Sequence, residues 1–303
     1  MTEDDILPWP VEAARAPGKG ASSFSHAGSN ICLDFHGDPA QARLVVFSDG
    51  NHHMALEQCV AAFLNANPDV RDIFYATTPP GPLIAALETG ALHIGNLALS
   101  AVPDVFIGPG EILDKLSAAG RLESHQPFAE SRGNVLLVRK GNPKGIEAVT
   151  DLMRGDVTVA ISNPDTETAS FTVYAETLEA LASDAGLDGP ALKARLSTKS
   201  ERVTFSTAIH HREVPQMLAD GAADVAMVYY HLALRYIRIF PDVFDMVTLG
   251  GAPDDPSPAH QITRYHIGLI GDGGDWGQAF ADFMVSGESQ TIYRDHGLRP
   301  LTN

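Results

Sequence analysis

The chain has 303 residues, of which 44% are hydrophobic and 19% charged, a composition that suits globular lobes of about 100–150 residues each. Its formal net charge is −17 and no block of basic residues occurs, which argues against a nucleic-acid partner because phosphate backbones need clustered Lys and Arg. No run of about 18 apolar residues is present, so no transmembrane helix is predicted.

The first part of the chain predicts an irregular leader and then an alternation of strands and helices. Residues 1–41 are rich in Gly, Ala, Ser and Pro and lack periodicity. From residue 44, short apolar runs alternate with segments whose apolar residues recur at helical spacing. Strands are predicted at 44–47, 73–76 and 104–107, and helices at 53–64, from the turn at 77–81 through Leu87, and at 111–119.

A second series of the same kind begins near residue 135. Its predicted strands cover 135–138, 157–161, 203–205, 223–230 and 266–270, and its predicted helices cover 167–181, 213–218, 231–237, 276–285 and 289–295. This alternation predicts an α/β protein with parallel sheets and helices on both faces.

The order of the elements predicts two lobes built from an interrupted chain. Lobe one is expected to comprise residues 42–133 with 262–303, and lobe two residues 134–261. Open α/β sheets bind ligands outside the carboxyl ends of their strands. We therefore expect a ligand cleft between the lobes that closes on a small molecule.

Several stretches resemble the type II periplasmic solute-binding proteins of ABC importers, particularly the ferric-binding and molybdate-binding groups. Pro103-Asp104-Val105-Phe106-Ile107 is similar to the "ADVF" strand of that superfamily. Further likeness lies in the strand, loop and helix start at 46–53, in 216–226, and in the closing residues 280–290 with 297–300. The resemblance implies a monomer that captures a small inorganic ion and delivers it to an ABC permease of the inner membrane.

The resemblance also implies a periplasmic location and no catalysis. The acidic start Met1-Thr2-Glu3-Asp4-Asp5 lacks the basic region of a secretory signal, so either a signal was removed or the protein stays in the cytosol. No GxSxG, P-loop or HExxH motif occurs. A cytosolic ion sensor or carrier, or a metal-dependent enzyme on the same fold, remains the alternative, and no prosthetic group is expected.

A bound metal cation, iron or zinc, is the first hypothesis for the ligand. The resemblance to ferric-binding proteins implies ligands in the first loop, after the "DVF" strand and at the end of a later strand. Fe(III) favours phenolate and carboxylate oxygens, and the surplus of histidines also suits zinc. The predicted metal ligands are His52, Glu111, His210, His211, Tyr229 and Tyr230.

A tetrahedral oxyanion such as molybdate or tungstate is the second hypothesis. Backbone N–H groups at helix N-termini bind such anions, aided by hydroxyl, imidazole and guanidinium donors. The predicted ligand-binding residues are Ser48, His52, His53, Thr77, Thr78, Ser162, Thr207, His210, His211, Arg212, Tyr229 and Tyr230. The metal hypothesis is preferred because His and Tyr exceed what an oxyanion needs. The remaining His93, His125, His260 and His296 belong to no such group and are expected at the surface.

Overall fold

The computed structural model describes residues 34–94, 97–207 and 209–301, so most of the predicted leader, residues 1–33, lies outside the described residues. The described residues form two compact units. The seven-stranded unit comprises Asp34–Gly133, Tyr229–Arg235 and the described part of Ile262–Asn303. The five-stranded unit comprises Asn134–Val228 and Tyr236–Gln261. Within the described ranges, no helix is long and apolar enough to cross a membrane.

The regular elements confirm the predicted alternation of strands and helices. The strands are β1 (Phe35–His36), β2 (Leu44–Ser48), β3 (Ile73–Thr77), β4 (Leu92–Ile94), β5 (Leu97–Leu99), β6 (Val105–Pro109), β7 (His125–Glu130), β8 (Asn134–Arg139), β9 (Val159–Ile161), β10 (Val203–Phe205), β11 (Val225–Tyr229), β12 (Phe244–Thr248), β13 (Gly251–Ala252), β14 (Asp255–Pro256), β15 (Arg264–Leu269) and β16 (Arg299–Pro300). The helices are α1 (His53–Ala66), α2 (Pro80–Thr89), α3 (Gly110–Ala118), α4 (Thr168–Asp184), α5 (Gly189–Leu196), α6 (His210–Ala219), α7 (Tyr230–Ile239), α8 (Gly277–Met284) and α9 (Gly287–Asp295).

The sheet of the seven-stranded unit has the order β1-β3-β2-β6-β15-β7-β16. Strands β3, β2 and β6 are parallel, with Ser48 level with Thr77 and Ile107. β15 runs antiparallel to both of its neighbours, β6 and β7. The carboxyl ends of β2, β3, β6 and β7 therefore lie at one edge of the sheet, together with the start of β15.

The five-stranded sheet has the order β10-β9-β11-β8-β12. β10, β9 and β11 are parallel, whereas β12 pairs with β8 in the antiparallel direction. The expectation of parallel sheets therefore holds for these parallel strands, but both sheets are mixed. β1, β12, β15 and β16 each pair with a neighbour in the antiparallel direction.

Apolar side chains cover both faces of the seven-stranded sheet. On one face Val46 packs in a cluster with Phe63 of α1 and Phe280 of α8. On the other face Phe47 packs in a cluster with Leu83 and Leu113. Successive strand residues point to opposite faces, so β2 is held by burial on both sides. Ser48, the last residue of β2, then begins a polar loop at the carboxyl edge.

Candidate functional site

The loop after β2 is held by a carboxylate. Oδ1 of Asp49 accepts a hydrogen bond from the backbone N–H of Asn51 at 2.7 Å, and Oδ2 accepts one from Nδ2 of Asn51 at 3.2 Å. The backbone N–H of Asp49 donates to the carbonyl of Ile107 in the neighbouring strand at 3.0 Å. A 3-10 turn over Gly50–His52 then leads directly into α1. These bonds fix both the backbone and the amide of Asn51.

His52 is fully buried, and both of its ring nitrogens have protein partners. Nδ1 lies 2.8 Å from the hydroxyl of Tyr293, and Nε2 lies 3.3 Å from Oγ of Ser48. Burial, with a smaller contribution from the neighbouring His231, lowers the pKa of His52 to about 3. The ring is therefore neutral at physiological pH, with one nitrogen donating and the other accepting.

Both ring nitrogens of His53, the second histidine of this pair, also have hydrogen-bond partners within the protein. Nδ1 of His53 donates to the carbonyl of Gly50 at 2.7 Å, and Nε2 accepts from Nη1 of Arg235 at 2.8 Å. A ring that accepts from a guanidinium must be neutral at that nitrogen. His53 is therefore a structural link between the start of α1 and α7 in the seven-stranded unit.

Tyr229 and His231 form a stacked pair at the end of β11. Their ring centroids are 5.2 Å apart with planes inclined by 21°. The hydroxyl of Tyr229 lies 2.8 Å from Oγ1 of Thr263, and burial raises the pKa of Tyr229 above its ordinary value. Nε2 of His231 donates to the carbonyl of Asn51 at 3.0 Å, and burial lowers the pKa of His231 to about 3.

The remaining predicted residues of this unit differ in burial. Oγ1 of Thr77 lies 3.2 Å from Nε2 of His36. Thr78 is fully buried, and its hydroxyl has no hydrogen-bond partner among the described residues. Glu111 is exposed in the first turn of α3, and Tyr230 is half-buried at the start of α7. Of these four side chains, only Thr78 combines full burial with an unpaired polar atom.

In the five-stranded unit, His210 belongs to a buried cluster around Glu167. Oε1 of Glu167 accepts hydrogen bonds from the backbone N–H and from Nδ1 of His210, both at 2.7 Å. Nε2 of His210 lies 3.1 Å from the hydroxyl of Tyr174, and Oγ of Ser206 donates to Oε2 of Glu167. Burial alone would raise the pKa of Glu167, but His210 and these hydrogen bonds outweigh it and hold that pKa below its usual value.

The backbone donors in front of α6 are bound by carboxylates of the same chain. Oε2 of Glu213 accepts from the backbone N–H of Thr207 at 2.6 Å, and Oε1 accepts from that of Ile209 at 2.7 Å. Thr207 itself is exposed. An oxyanion at this helix terminus would have to displace Glu213, so the structure gives no support to Thr207 as an anion-binding residue.

Three further predicted residues of the five-stranded unit, His211, Arg212 and Ser162, are buried. His211 and Arg212 are buried in the first turn of α6, and the carbonyl of His211 accepts a hydrogen bond from the hydroxyl of Tyr236 at 2.8 Å. Ser162 follows β9 directly and is fully buried. Its hydroxyl has no hydrogen-bond partner within the described ranges.

Several residues that shape these loops were not predicted from the sequence. Glu167 was interpreted only as a helix start, and Asn51 was not singled out. A carboxylate just before a long helix and an Asp-x-Asn loop after a strand are the local signals that point to them. The expectation that His260 lies at the surface is wrong: it is buried, and its Nε2 donates to the carbonyl of Leu249 at 2.7 Å.

The predicted metal ligands divide between the two units. His52, Glu111, Tyr229 and Tyr230 belong to the seven-stranded unit, and His210 and His211 to the five-stranded unit. Across the described part of the chain, no three His, Cys, Asp or Glu side chains are grouped so that they could hold a metal ion. Both ring nitrogens of His52 and of His210 already have partners, so coordination by either ring would first have to break a buried hydrogen bond.

Comparison with solved structures gives the same fold. The sulfate-binding protein SubI from Mycobacterium tuberculosis matches with a TM-score of 0.61 and 18% identity, covering 86% of this chain and 87% of SubI. The periplasmic molybdate-binding protein of Azotobacter vinelandii matches with a TM-score of 0.56 and 17% identity over 84% of this chain and 98% of its own. Iron-bound HitA from Pseudomonas aeruginosa matches with a TM-score of 0.57 and 13% identity over 86% and 87%.

These identities are too low to transfer a ligand, but they confirm the predicted two-lobed periplasmic-binding-protein fold. No curated protein is similar enough in sequence to count as a relative. The family model of bacterial extracellular solute-binding proteins matches residues 44–299. That family consists of binding proteins rather than enzymes, as the sequence predicted, and this chain belongs to the bacterial extracellular solute-binding proteins.

Proposed function

We propose that this protein binds a small tetrahedral oxyanion outside the cytoplasm and delivers it to an ABC-type permease. The observation that carries this proposal is a pair of buried hydroxyl groups, on Thr78 and Ser162, that have no hydrogen-bond partner among the described residues. Each follows the carboxyl end of a parallel strand in its own unit, β3 or β9. Buried hydroxyl groups in proteins nearly always have a partner, and the oxygens of an oxyanion are suitable acceptors.

The surroundings of Thr78 also favour negative charge. α2 begins at Pro80, just after Thr78, and the N-terminus of a helix carries a partial positive charge with unpaired N–H groups. Pro80 and Pro82 have no N–H group. Gly81 and Leu83 are therefore the N–H donors among the first four helical residues, and the hydroxyl of Thr78 offers a further donor just before them.

This proposal reverses the order of the two ligand classes that the sequence favoured. A ferric or zinc-like cation would need the rings of His52 and His210, whose nitrogens are all hydrogen-bonded within the protein. Glu111, the carboxylate of the predicted metal set, is exposed. The cation therefore remains the weaker proposal, and the same experiment tests it.

The test is a thermal-shift screen followed by calorimetry with molybdate, tungstate, sulfate, phosphate, Fe(III) and Zn²⁺. A ligand at 100 times its Kd adds about 2.7 kcal/mol to the free energy of unfolding, which raises the melting temperature measurably. We expect an oxyanion to give the largest shift. Stoichiometric binding of Fe(III) or Zn²⁺ without any shift by an oxyanion would overturn the proposal.

Two variants test the residues. Thr78→Val and Ser162→Ala should each weaken oxyanion binding about tenfold, because each removes one hydrogen bond to a charged ligand. The melting temperature of the ligand-free protein should hardly change. Thr89→Val and Ser183→Ala are matched controls, since both hydroxyl groups are exposed and donate to a carbonyl in their own helix. Unchanged affinity in both test variants would contradict the assignment.

A further inference from the structure

The amide of Asn51 is fixed so that its oxygen has no donor. Asn51 is 6% exposed, and its backbone N–H and Nδ2 both donate to the carboxylate of Asp49. A carboxylate only accepts hydrogen bonds from an amide, so Nδ2 must be the atom facing Asp49 and Oδ1 must face away. Oδ1 is buried without a hydrogen-bond partner among the described residues. An amide oxygen can only accept, so this position needs a donor.

His231 presents a second acceptor beside the same loop. Its Nε2 lies 3.0 Å from the carbonyl oxygen of Asn51, which can only accept, so Nε2 carries the proton. Nδ1 is then unprotonated and can only accept a hydrogen bond, and it too is buried without a hydrogen-bond partner in the described part of the chain. Burial lowers the pKa of His231 to about 3, so the ring stays neutral and keeps this acceptor at physiological pH.

Two buried atoms that can only accept hydrogen bonds, Oδ1 of Asn51 and Nδ1 of His231, would distinguish oxyanions that carry a proton from those that carry none. Hydrogen phosphate and hydrogen arsenate keep one hydroxyl group at neutral pH, whereas sulfate and molybdate keep none. Net charge does not distinguish them, since hydrogen phosphate and sulfate are both dianions. A site with a buried, unpaired acceptor rejects a ligand that brings no donor, because the acceptor then stays unsatisfied or faces a ligand oxygen.

We infer that the loop of Asp49 and Asn51, together with His231, selects oxyanions that carry a hydroxyl group, of the hydrogen phosphate and hydrogen arsenate class, over fully deprotonated tetrahedral anions. This inference rests on the proposed function and names its substrate class. Oδ1 of Asn51 accepts the hydroxyl proton of the ligand, while the hydroxyl of Thr78 donates to one of the other ligand oxygens. Thr78 thus contributes affinity for any tetrahedral anion, and Asn51 contributes selectivity.

The experiment is calorimetric titration of the full chain with phosphate, arsenate, sulfate and monofluorophosphate at neutral pH. Monofluorophosphate has the shape and charge of hydrogen phosphate but carries fluorine in place of the hydroxyl group. We expect phosphate and arsenate to bind more tightly than sulfate and monofluorophosphate by about tenfold or more. This comparison needs no variant, so it does not depend on the folding of a mutant.

The matched variants separate selectivity from affinity. Asn51→Ala should lower the ratio of phosphate to sulfate affinity by about fivefold or more, whereas Thr78→Val should weaken both anions and leave the ratio unchanged. If sulfate or monofluorophosphate binds the unmodified protein as tightly as phosphate, the inference is wrong while oxyanion binding stands. If none of these anions, nor molybdate or tungstate, binds, the proposed function itself fails.

Discussion

Two histidines that look alike in the sequence have different surroundings in the two units. His52 and His210 both stand in His-His pairs where a helix begins. In the seven-stranded unit, the ring of His52 contacts two hydroxyl groups, those of Tyr293 and Ser48. In the five-stranded unit, the ring of His210 contacts the carboxylate of Glu167 as well as a hydroxyl group.

The difference in partners decides the electrostatics of each loop. Burial is the largest contribution at His52 and, together with the neighbouring His231, lowers its pKa to about 3. At Glu167 the neighbouring His210 and the hydrogen bonds outweigh burial, and the pKa of Glu167 stays below its usual value. The sequence motif alone therefore does not fix whether a buried imidazole contacts hydroxyl groups or a carboxylate.

The largest expected effect comes from removing the buried carboxylate of Glu167. Glu167→Ala removes the acceptor of three donors in a buried cluster: the backbone N–H and Nδ1 of His210, and the hydroxyl proton of Ser206. The free energy of unfolding, measured with urea, should fall by about 3–5 kcal/mol. Glu179→Ala is the control: its ion pair with Lys193 is at the surface and should contribute only about 0–1 kcal/mol. Equal losses in the two variants would contradict the interpretation of Glu167.

A pH titration of the free energy of unfolding tests the buried histidines of the seven-stranded unit. The ordinary pKa of His is 6.5, and burial lowers it to about 3 in folded His52 and His231. Below pH 6.5 the unfolded chain binds protons that the folded chain does not, so stability is full above this pH and is lost as pH falls toward 3. Between pH 6.5 and 5, each histidine should lower the free energy of unfolding by roughly 1–2 kcal/mol.

The matched variants for this titration are His52→Gln and His93→Gln. His52→Gln removes one buried titrating group, so the stability curve should become flatter between pH 6.5 and 5 by the contribution of one histidine. His93 is exposed, and its substitution should leave the slope unchanged. Parallel curves for His52→Gln and the unmodified protein would show that His52 is not a buried neutral imidazole.

The fold was largely predictable because local apolar patterns in the sequence indicate its strands and helices. The residues of β2, β3, β9 and β11 form short apolar runs, and the intervening helices bury one face each. β7 was missed since His125, Gln126 and Pro127 give it no such pattern. The antiparallel insertion of β15 between β6 and β7 was also missed, because strand order depends on pairing between residues far apart in sequence.

The candidate site was predictable only in part. Strand ends located Ser48, Thr78 and Ser162 at the loops where ligands bind in such sheets, because a strand end is a local signal. The partners of the histidines were not predictable, since Tyr293 lies 241 positions from His52 and Glu167 lies 43 positions from His210. Whether a polar side chain faces a ligand or a distant residue depends on these contacts.

The smallest expected effect distinguishes two serines of the five-stranded unit that occupy equivalent positions. Ser162 and Ser206 each follow a parallel strand, but only the hydroxyl of Ser206 has partners among the described residues: it donates to Glu167 and accepts from the backbone N–H of Asn163. Ser206→Ala should lower the free energy of unfolding by about 1–3 kcal/mol, because it removes both of these hydrogen bonds, one of them to a buried carboxylate. Ser162→Ala should change it by less than about 0.5 kcal/mol, since the hydroxyl it removes is unsatisfied in the ligand-free protein. Urea unfolding with and without saturating ligand checks both variants, and the stabilisation by the ligand should be smaller in Ser162→Ala than in the unmodified protein. If ligand-free Ser162→Ala loses as much stability as Ser206→Ala, then Ser162 supports the fold rather than the ligand.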